Sequence, residues 1–165
     1  MRGTAILLWV ALGLLLGSCS VVLADGEGTA QIEPGPTAVA ATIGTWTVTY
    51  HPGPAGLAPG GGLRLQFSGF PIRLFEMPQT TDPVGRAYTT ARCTDPKVPV
   101  QVRFEQQLKA GWQSIEELVV TVGAPGLSPQ AALVITYGDK SGGGPGGQIR
   151  GAEGEGLPVR MSSDS

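Results

Sequence analysis

Thr45-Trp46-Thr47-Val48-Thr49-Tyr50 alternates without a break, with Trp46, Val48 and Tyr50 on one side and three threonines on the other. A period of two with aromatic and β-branched residues marks a half-buried strand. The pattern recurs on both sides of this stretch. Leu63, Leu65 and Phe67 alternate with Arg64 and Gln66; Val98, Val100, Val102 and Phe104 alternate with polar partners from Gln101 onward. Leu118, Val120 and Val122 form another run, and Ala131 to Tyr137 one more. Weaker strands are expected at Ala30–Glu33, Ile72–Phe75 and Ala87–Cys93.

Chain breakers separate these runs. His51-Pro52-Gly53-Pro54 and Ala58-Pro59-Gly60-Gly61-Gly62 flank one boundary, Ala124-Pro125-Gly126 and Ser128-Pro129 another. Glycine supplies turn conformations, and proline removes a ladder donor. Pro99 inside an apolar run predicts an edge strand or a bulge there. Glu105 to Glu117 holds good helix formers, but Gly111 interrupts it and no apolar stripe persists, so at most one helical turn is expected. Strands of this spacing, each with one apolar face, close against a second sheet. The expectation is an all-β, immunoglobulin-like β-sandwich of about seven or eight short strands, preceded by a signal-peptide helix.

Composition narrows the functional classes. Of 165 residues, 26 are Gly and 14 are Pro, which approaches low-complexity chains; the 41% hydrophobic fraction still supplies enough apolar surface for a core. A net charge of −2 gives no basic footprint for nucleic acid. One His and two Cys exclude most zinc sites and a blue-copper site. The chain contains no Asn, so Asn-linked glycosylation is excluded.

Arg2 precedes a 20-residue apolar run from Ala5 to Ala24, followed by Asp25-Gly26-Glu27-Gly28. A basic start, an apolar stretch and a small residue before a polar segment form the signal-peptide pattern, with cleavage expected between Ala24 and Asp25. Two alternatives remain. Leu16-Gly17-Ser18-Cys19 resembles a lipobox that would make Cys19 the lipidated N-terminus, though Val21-Val22-Leu23 then follow where a polar tether is usual. An uncleaved anchor is the other, since a run of this length just spans a bilayer. The domain reading is therefore a signal peptide over 1–24, a β-sandwich over 25–140, and a Gly-rich loop with a flexible tail over 141–165. The location is extracytoplasmic, periplasmic or secreted, with a membrane-anchored lipoprotein as the alternative. Membrane contact is expected only through the N-terminal segment.

Chemistry-bearing motifs are few. His51 is the only imidazole and sits before Pro52, with no Ser in a nucleophile elbow. Gly142-x-Gly144-x-x-Gly147 matches a dinucleotide fingerprint formally, but Pro145 interrupts it and no helix follows. Asp82, Asp95 and Asp139 could bind calcium if their loops share one end of the sandwich. Glu116 and Glu117, adjacent on a strand, point to opposite faces and share no substrate. Trp112, Phe70, Phe75 and Tyr88 are either core packing or a sugar-stacking platform. Cys93 reads as a small buried hydrophobe rather than a reactive thiol. No catalytic residue, metal or cofactor is expected. Asp82, Tyr88, Asp139 and Lys140 are the residues of a candidate loop or interface site.

Three stretches together resemble a known group: Gly44 to Tyr50 running on to Gly56–Leu65, Pro78-Gln79-Thr80-Thr81-Asp82-Pro83 with Tyr88-Thr89-Thr90, and Tyr137-Gly138-Asp139-Lys140-Ser141 running to Gly146. In this order they resemble the N-terminal β-rich region of an uncharacterised bacterial family whose long members carry a PHP-type metal-dependent hydrolase domain. The resemblance covers residues 29 to 150. It implies no hydrolase activity for these residues, because the family's His and Asp ligand clusters lie downstream and only His51 is present here. The functional expectation is a non-catalytic extracytoplasmic accessory or interaction domain. The alternatives are a glycan-binding envelope module and the N-terminal fragment of a larger metal-dependent hydrolase. The corresponding partners are envelope glycan or such a hydrolase domain.

Overall fold

The computed structural model describes residues 21–23, 28–35, 39, 41–66, 76–108, 114–149 and 160–164. Residues 1–20 of the expected signal helix, with Cys19, Ala24, Asp25, the weak strand at Ile72–Phe75 and the aromatics Phe70 and Trp112, lie outside these residues, while Val21–Leu23 form a strand rather than the end of a helix. Within them the fold is all-β. The elements are β1 (Val21–Leu23), β2 (Gly28–Glu33), β3 (Ile43–Gly44), β4 (Trp46–Pro52), β5 (Gly62–Gln66), β6 (Thr89–Cys93), β7 (Val100–Leu108), β8 (Ser114–Val122), β9 (Leu133–Tyr137), β10 (Gly147–Gln148) and β11 (Arg160–Asp164). Every strand pairing between them is antiparallel.

One sheet has the order β1-β2-β4-β9-β6, a second β11-β5-β8-β7, and β10 pairs with β3 in a small ribbon. The register places Ala30, Tyr50, Leu133 and Cys93 in one row of the first sheet, with Ile32, Val48, Ile135 and Ala91 in the next. In the second sheet Leu63, Val120 and Val102 share a row, as do Leu65, Leu118 and Phe104. These two faces supply one hydrophobic cluster, in which Tyr50, Leu133 and Val120 are fully buried. Each leucine or valine taken from water there contributes about 1.5–3 kcal/mol. The threonines of β4 fall on the opposite face, as the alternation requires, and Thr47, Thr136 and Thr90 line up across three strands.

Two parts of the chain differ from the sequence expectation. Glu105–Glu117 carries no helical turn among the described residues; its two halves extend β7 and β8 into a hairpin paired from Val100↔Val122 to Leu108↔Ser114. Cross-strand pairing of Phe104 with Leu118 on the buried face outweighs the local helix propensity of the glutamates and glutamines. Beyond residue 140, the segment expected as loop and flexible tail contributes β10 and β11. Gly144, Gly146, Gly147 and Ile149 are buried. The expected edge character near Pro99 holds, since β7 starts at Val100 and is the outer strand of its sheet.

The strands end in two different layers. At one end, the connections β4–β5 and β8–β9 cross between the sheets side by side. At the other end, residues 39–45, 76–88 and 138–149 interlock. We call these the crossover end and the loop end.

The crossover end contains an internal repeat that composition had masked. Gly53-Pro54-Ala55-Gly56-Leu57-Ala58-Pro59 is matched by Gly123-Ala124-Pro125-Gly126-Leu127-Ser128-Pro129. The two copies face each other. Leu57 N–H donates to Leu127 O at 2.8 Å, and Leu127 N–H to Leu57 O at 2.9 Å. Gly56 and Gly126 both have positive φ, at 72° and 96°, and each leaves room for the opposite leucine carbonyl. Both leucine side chains are buried, at 6% and 2% exposure, so each closes that end of the core.

Candidate functional site

The loop end gathers parts of all three stretches whose order suggested the family resemblance, while Gly56–Leu65 of the first runs through the crossover end into β5. Its first part is the turn after Pro78, organised by one side chain. Gln79 Oε1 accepts from the backbone N–H of Thr81 and Asp82 at 2.9 and 2.8 Å. Its Nε2 donates to Asp82 O at 2.7 Å and to Arg86 O at 3.3 Å. An amide satisfies such a turn because it carries acceptor and donors on one planar group. Asp82 Oδ1 then accepts from Val84 N–H at 3.2 Å, an Asx-type closure of the exposed tip.

The second part is the Gly-rich segment after Tyr137. Asp139 N–H donates to Tyr88 O at 2.7 Å, and Ala87 N–H to Gly146 O at 3.0 Å, which ties the two loops together. Asp139 Oδ2 accepts from the Thr90 hydroxyl at 2.6 Å, and Oδ1 accepts from Ser141 N–H at 2.8 Å. Partial burial opposes the charge on Asp139, but the hydrogen bonds from Thr90 and Ser141 outweigh it and hold the carboxyl below its ordinary range. Gly138, with φ 69°, lies where a Cβ would strike the backbone of Gly147 and Gly44. Here glycine is required by close approach as well as by conformation.

The third part joins these loops to the sheet. Thr45 Oγ1 donates to Gly138 O at 2.7 Å. The Tyr137 hydroxyl donates to Glu76 O at 2.8 Å, and the carboxylate of Glu76 pairs with Arg86 Nε at 3.2 Å. Trp46 and Tyr137 meet with ring centroids 6.0 Å apart. Trp46 lies over Gly44, and the Tyr137 ring lies against Gly147. Aromatic bulk on β4 and β9 thus holds glycine backbone on both sides of the small ribbon.

The four residues singled out from sequence all fall in this layer. Tyr88 and Asp139 meet through the backbone bond already described. Asp82 sits in the adjoining turn, whose Pro83 packs where Gly142 has no side chain. Lys140 is exposed, and its Cε lies 2.9 Å from the place a Cβ on Gly146 would take. The shared calcium end proposed for Asp82, Asp95 and Asp139 is corrected. Asp95 lies at the crossover end, after Cys93, where its carboxylate caps Lys97 N–H at 3.0 Å. Among the described residues no group of three or more His, Cys, Asp or Glu is placed to hold a metal ion.

Elsewhere, Glu116 and Glu117 do face opposite ways. Glu116 is buried at 8% exposure and accepts from Gln106 Nε2 at 3.3 Å, whereas Glu117 meets Arg64 at 3.1 Å. Cys93 is a buried free thiol. His51 is exposed on β4, in register with Thr29. Of the possible sugar platform, only Tyr88 belongs to the described residues, and it is half-buried. Sequence reading quoted Gln79 and Thr90 only within longer motifs and gave neither a role, since a polar residue near a Pro-containing turn or on a strand is too common to single out. Searches against family models, curated proteins and solved structures returned no match.

Proposed function

We propose that this chain is a non-catalytic extracytoplasmic accessory or interaction domain built as an immunoglobulin-like β-sandwich. The single cluster formed by the apolar faces of both sheets supports the sandwich. Counting β2 and β4–β9 as seven core strands, the order is first-second-seventh-fourth beside third-sixth-fifth. An immunoglobulin constant domain has the fifth strand where this chain has the seventh, and the reverse. The β7–β8 hairpin keeps the fifth strand beside the sixth, and the Leu127 loop carries the chain back to the first sheet.

One observation carries the non-catalytic reading. Three polar side chains of the loop end are committed to the loops that carry them: Gln79 and Asp82 to the backbone of their turn, and Asp139 to the Thr90 hydroxyl and the Ser141 backbone N–H. A general base or ligand needs a lone pair aimed at a substrate, and these are aimed at the loops that carry them. The resemblance to the leading region of PHP-type hydrolases fits a domain of this kind beside a catalytic partner. The test is turnover of phosphoester and carboxyl-ester substrates by the purified full chain, with and without added divalent metal. No turnover above buffer is expected, and metal-dependent hydrolysis would overturn the reading.

The pairing of β1 supports a retained N-terminal segment over cleavage after Ala24. Cleavage after Ala24 would remove Val21–Leu23, which pair with Gln31, Ala30 and Thr29. It would leave β2 as a bare edge, Gly28-Thr29-Ala30-Gln31-Ile32-Glu33, with no Lys or Pro to discourage edge-to-edge pairing. A processed form that keeps β1, either acylated at Cys19 or held by the apolar run, retains the cover on that edge.

A further inference from the structure

We infer that the loop end is the face of the domain held against the lipid surface. The inference rests on the reading just given, that the N-terminal segment stays with the chain. Two independent observations point to it.

The first is the direction of β1. Val21 is in register with Gln31 and Leu23 with Thr29, and Gln31 pairs in turn with Thr49 on β4. Glu33 and Thr47 mark the loop end of these strands, while Gly28 and Pro52 mark the crossover end. β1 therefore begins, at Val21, on its loop-end side. Only Ser20 separates Cys19 from β1. Since each residue spans at most about 3.6 Å, an acylated Cys19 lies within about 7 Å of the start of the sheet. An anchor so short sets the domain on the membrane without a flexible spacer, and sets it down on the side where β1 begins. β11 also runs from the loop end to the crossover end, from Arg160 beside Gln66 to Asp164 beside Gly62, so the described C-terminal strand leads away from the loop end.

The second is where apolar surface remains exposed. The exposed large hydrophobics among the described residues are Val39, Ile43 and Val84, at 77%, 46% and 65% exposure. All three belong to the loop end. Ile43 is in register with Gln148, Val39 O accepts from Thr42 N–H, and Val84 tips the turn that packs on the Gly-rich segment. The crossover end is built oppositely, with Leu57 and Leu127 turned into the core. Charge at the loop end is net acidic, with Glu33, Glu76, Asp82 and Asp139 against Arg86 and Lys140, so it offers no attraction to anionic headgroups. Contact with lipid is therefore through apolar side chains entering the headgroup boundary, without selection for anionic lipid.

The test uses the full chain in phosphatidylcholine vesicles that contain a photoactivatable phospholipid, with adducts mapped by peptide mass spectrometry. Adducts are expected on residues 39–43 and 82–86, severalfold above those on 54–60 and 124–130. The Ile43→Asp, Val84→Asp double variant should lose most loop-end adducts while staying in the vesicle fraction. Circular dichroism checks that its fold is intact. Adding anionic lipid should not strengthen the loop-end labelling. Equal labelling of both ends, or labelling that needs anionic lipid, by a protein still in the vesicles would overturn this inference and leave the retained segment standing. A native protein recovered in the soluble fraction with Asp25 at its N-terminus would remove the retained segment, and this inference with it.

Discussion

The crossover end and the loop end are both made of glycine, proline and short turns, yet they are stabilised differently. At the crossover end two near-identical turns face each other, and the side chains that matter are two buried leucines. At the loop end three unlike segments interlock, and polar side chains bond to backbone. The contrast shows that a high Gly and Pro content does not specify looseness. Glycine at positions 56 and 126 lets a leucine carbonyl come close; glycine at 138 and 147 lets backbone lie against backbone and against an aromatic ring. The first arrangement depends on apolar burial and should be insensitive to pH. The second depends on hydrogen bonds to a carboxylate and should weaken in acid.

The sharpest way to break the contrast is Leu127→Ala. It removes a fully enclosed side chain from the crossover end, and a loss of about 2–5 kcal/mol is expected in denaturant titration. A loss under 1 kcal/mol would mean that this leucine does not close the core. Gly138→Ala comes next. It places a Cβ against Gly44 and Gly147 in a backbone conformation that L-residues avoid, and should cost about 1–3 kcal/mol, with hydrogen exchange rising first in residues 138–149. Thr90→Val removes the donor to Asp139 and should cost about 1 kcal/mol, reduced by the partial exposure of that pair.

The pH dependence separates the ends further. The Asp139 carboxyl is held below its unfolded value of about 3.9, so its contribution is complete above that pH and is lost as pH falls through the lower folded value. Asp139→Asn should flatten the acid limb of the stability curve, and Leu127→Ala should shift the curve down without changing its shape. Parallel acid limbs for wild type and Asp139→Asn would show that Asp139 does not link the loop end to pH. The smallest effect is expected for Arg64→Ala. Its ion pairs with Glu117 and Glu105 lie on the outer, partly exposed face of the second sheet, and a change of about 0.5 kcal/mol or less should appear.

Much of the fold was legible along the chain. Trp46-Thr47-Val48-Thr49-Tyr50 and Leu133-Val134-Ile135-Thr136-Tyr137 are strands because β-branched and aromatic residues recur at the period of a pleated sheet, and they pair in the register that brings their apolar faces together. The hairpin over Val100–Val122 was only half legible, since the glutamates and glutamines at its far end carry a helical preference that pairing overrides. The candidate site was legible as a set of loops but not as one place. Asp82 and Asp95 look alike in sequence, and only the paths of the strands carry them to opposite ends.

The sequence by itself determined most of the core strands, the inward face of each and the turns between them, because these depend on neighbours two to four residues apart. Which strands are neighbours, that the two leucine turns bond to one another, and that Thr90 and Asp139 lock one end of the domain were decided only in the tertiary structure. Those contacts join residues far apart in the chain, as Thr45 and Gly138 are. Their geometry is fixed by how two twisted sheets close over a shared core, which no local pattern records.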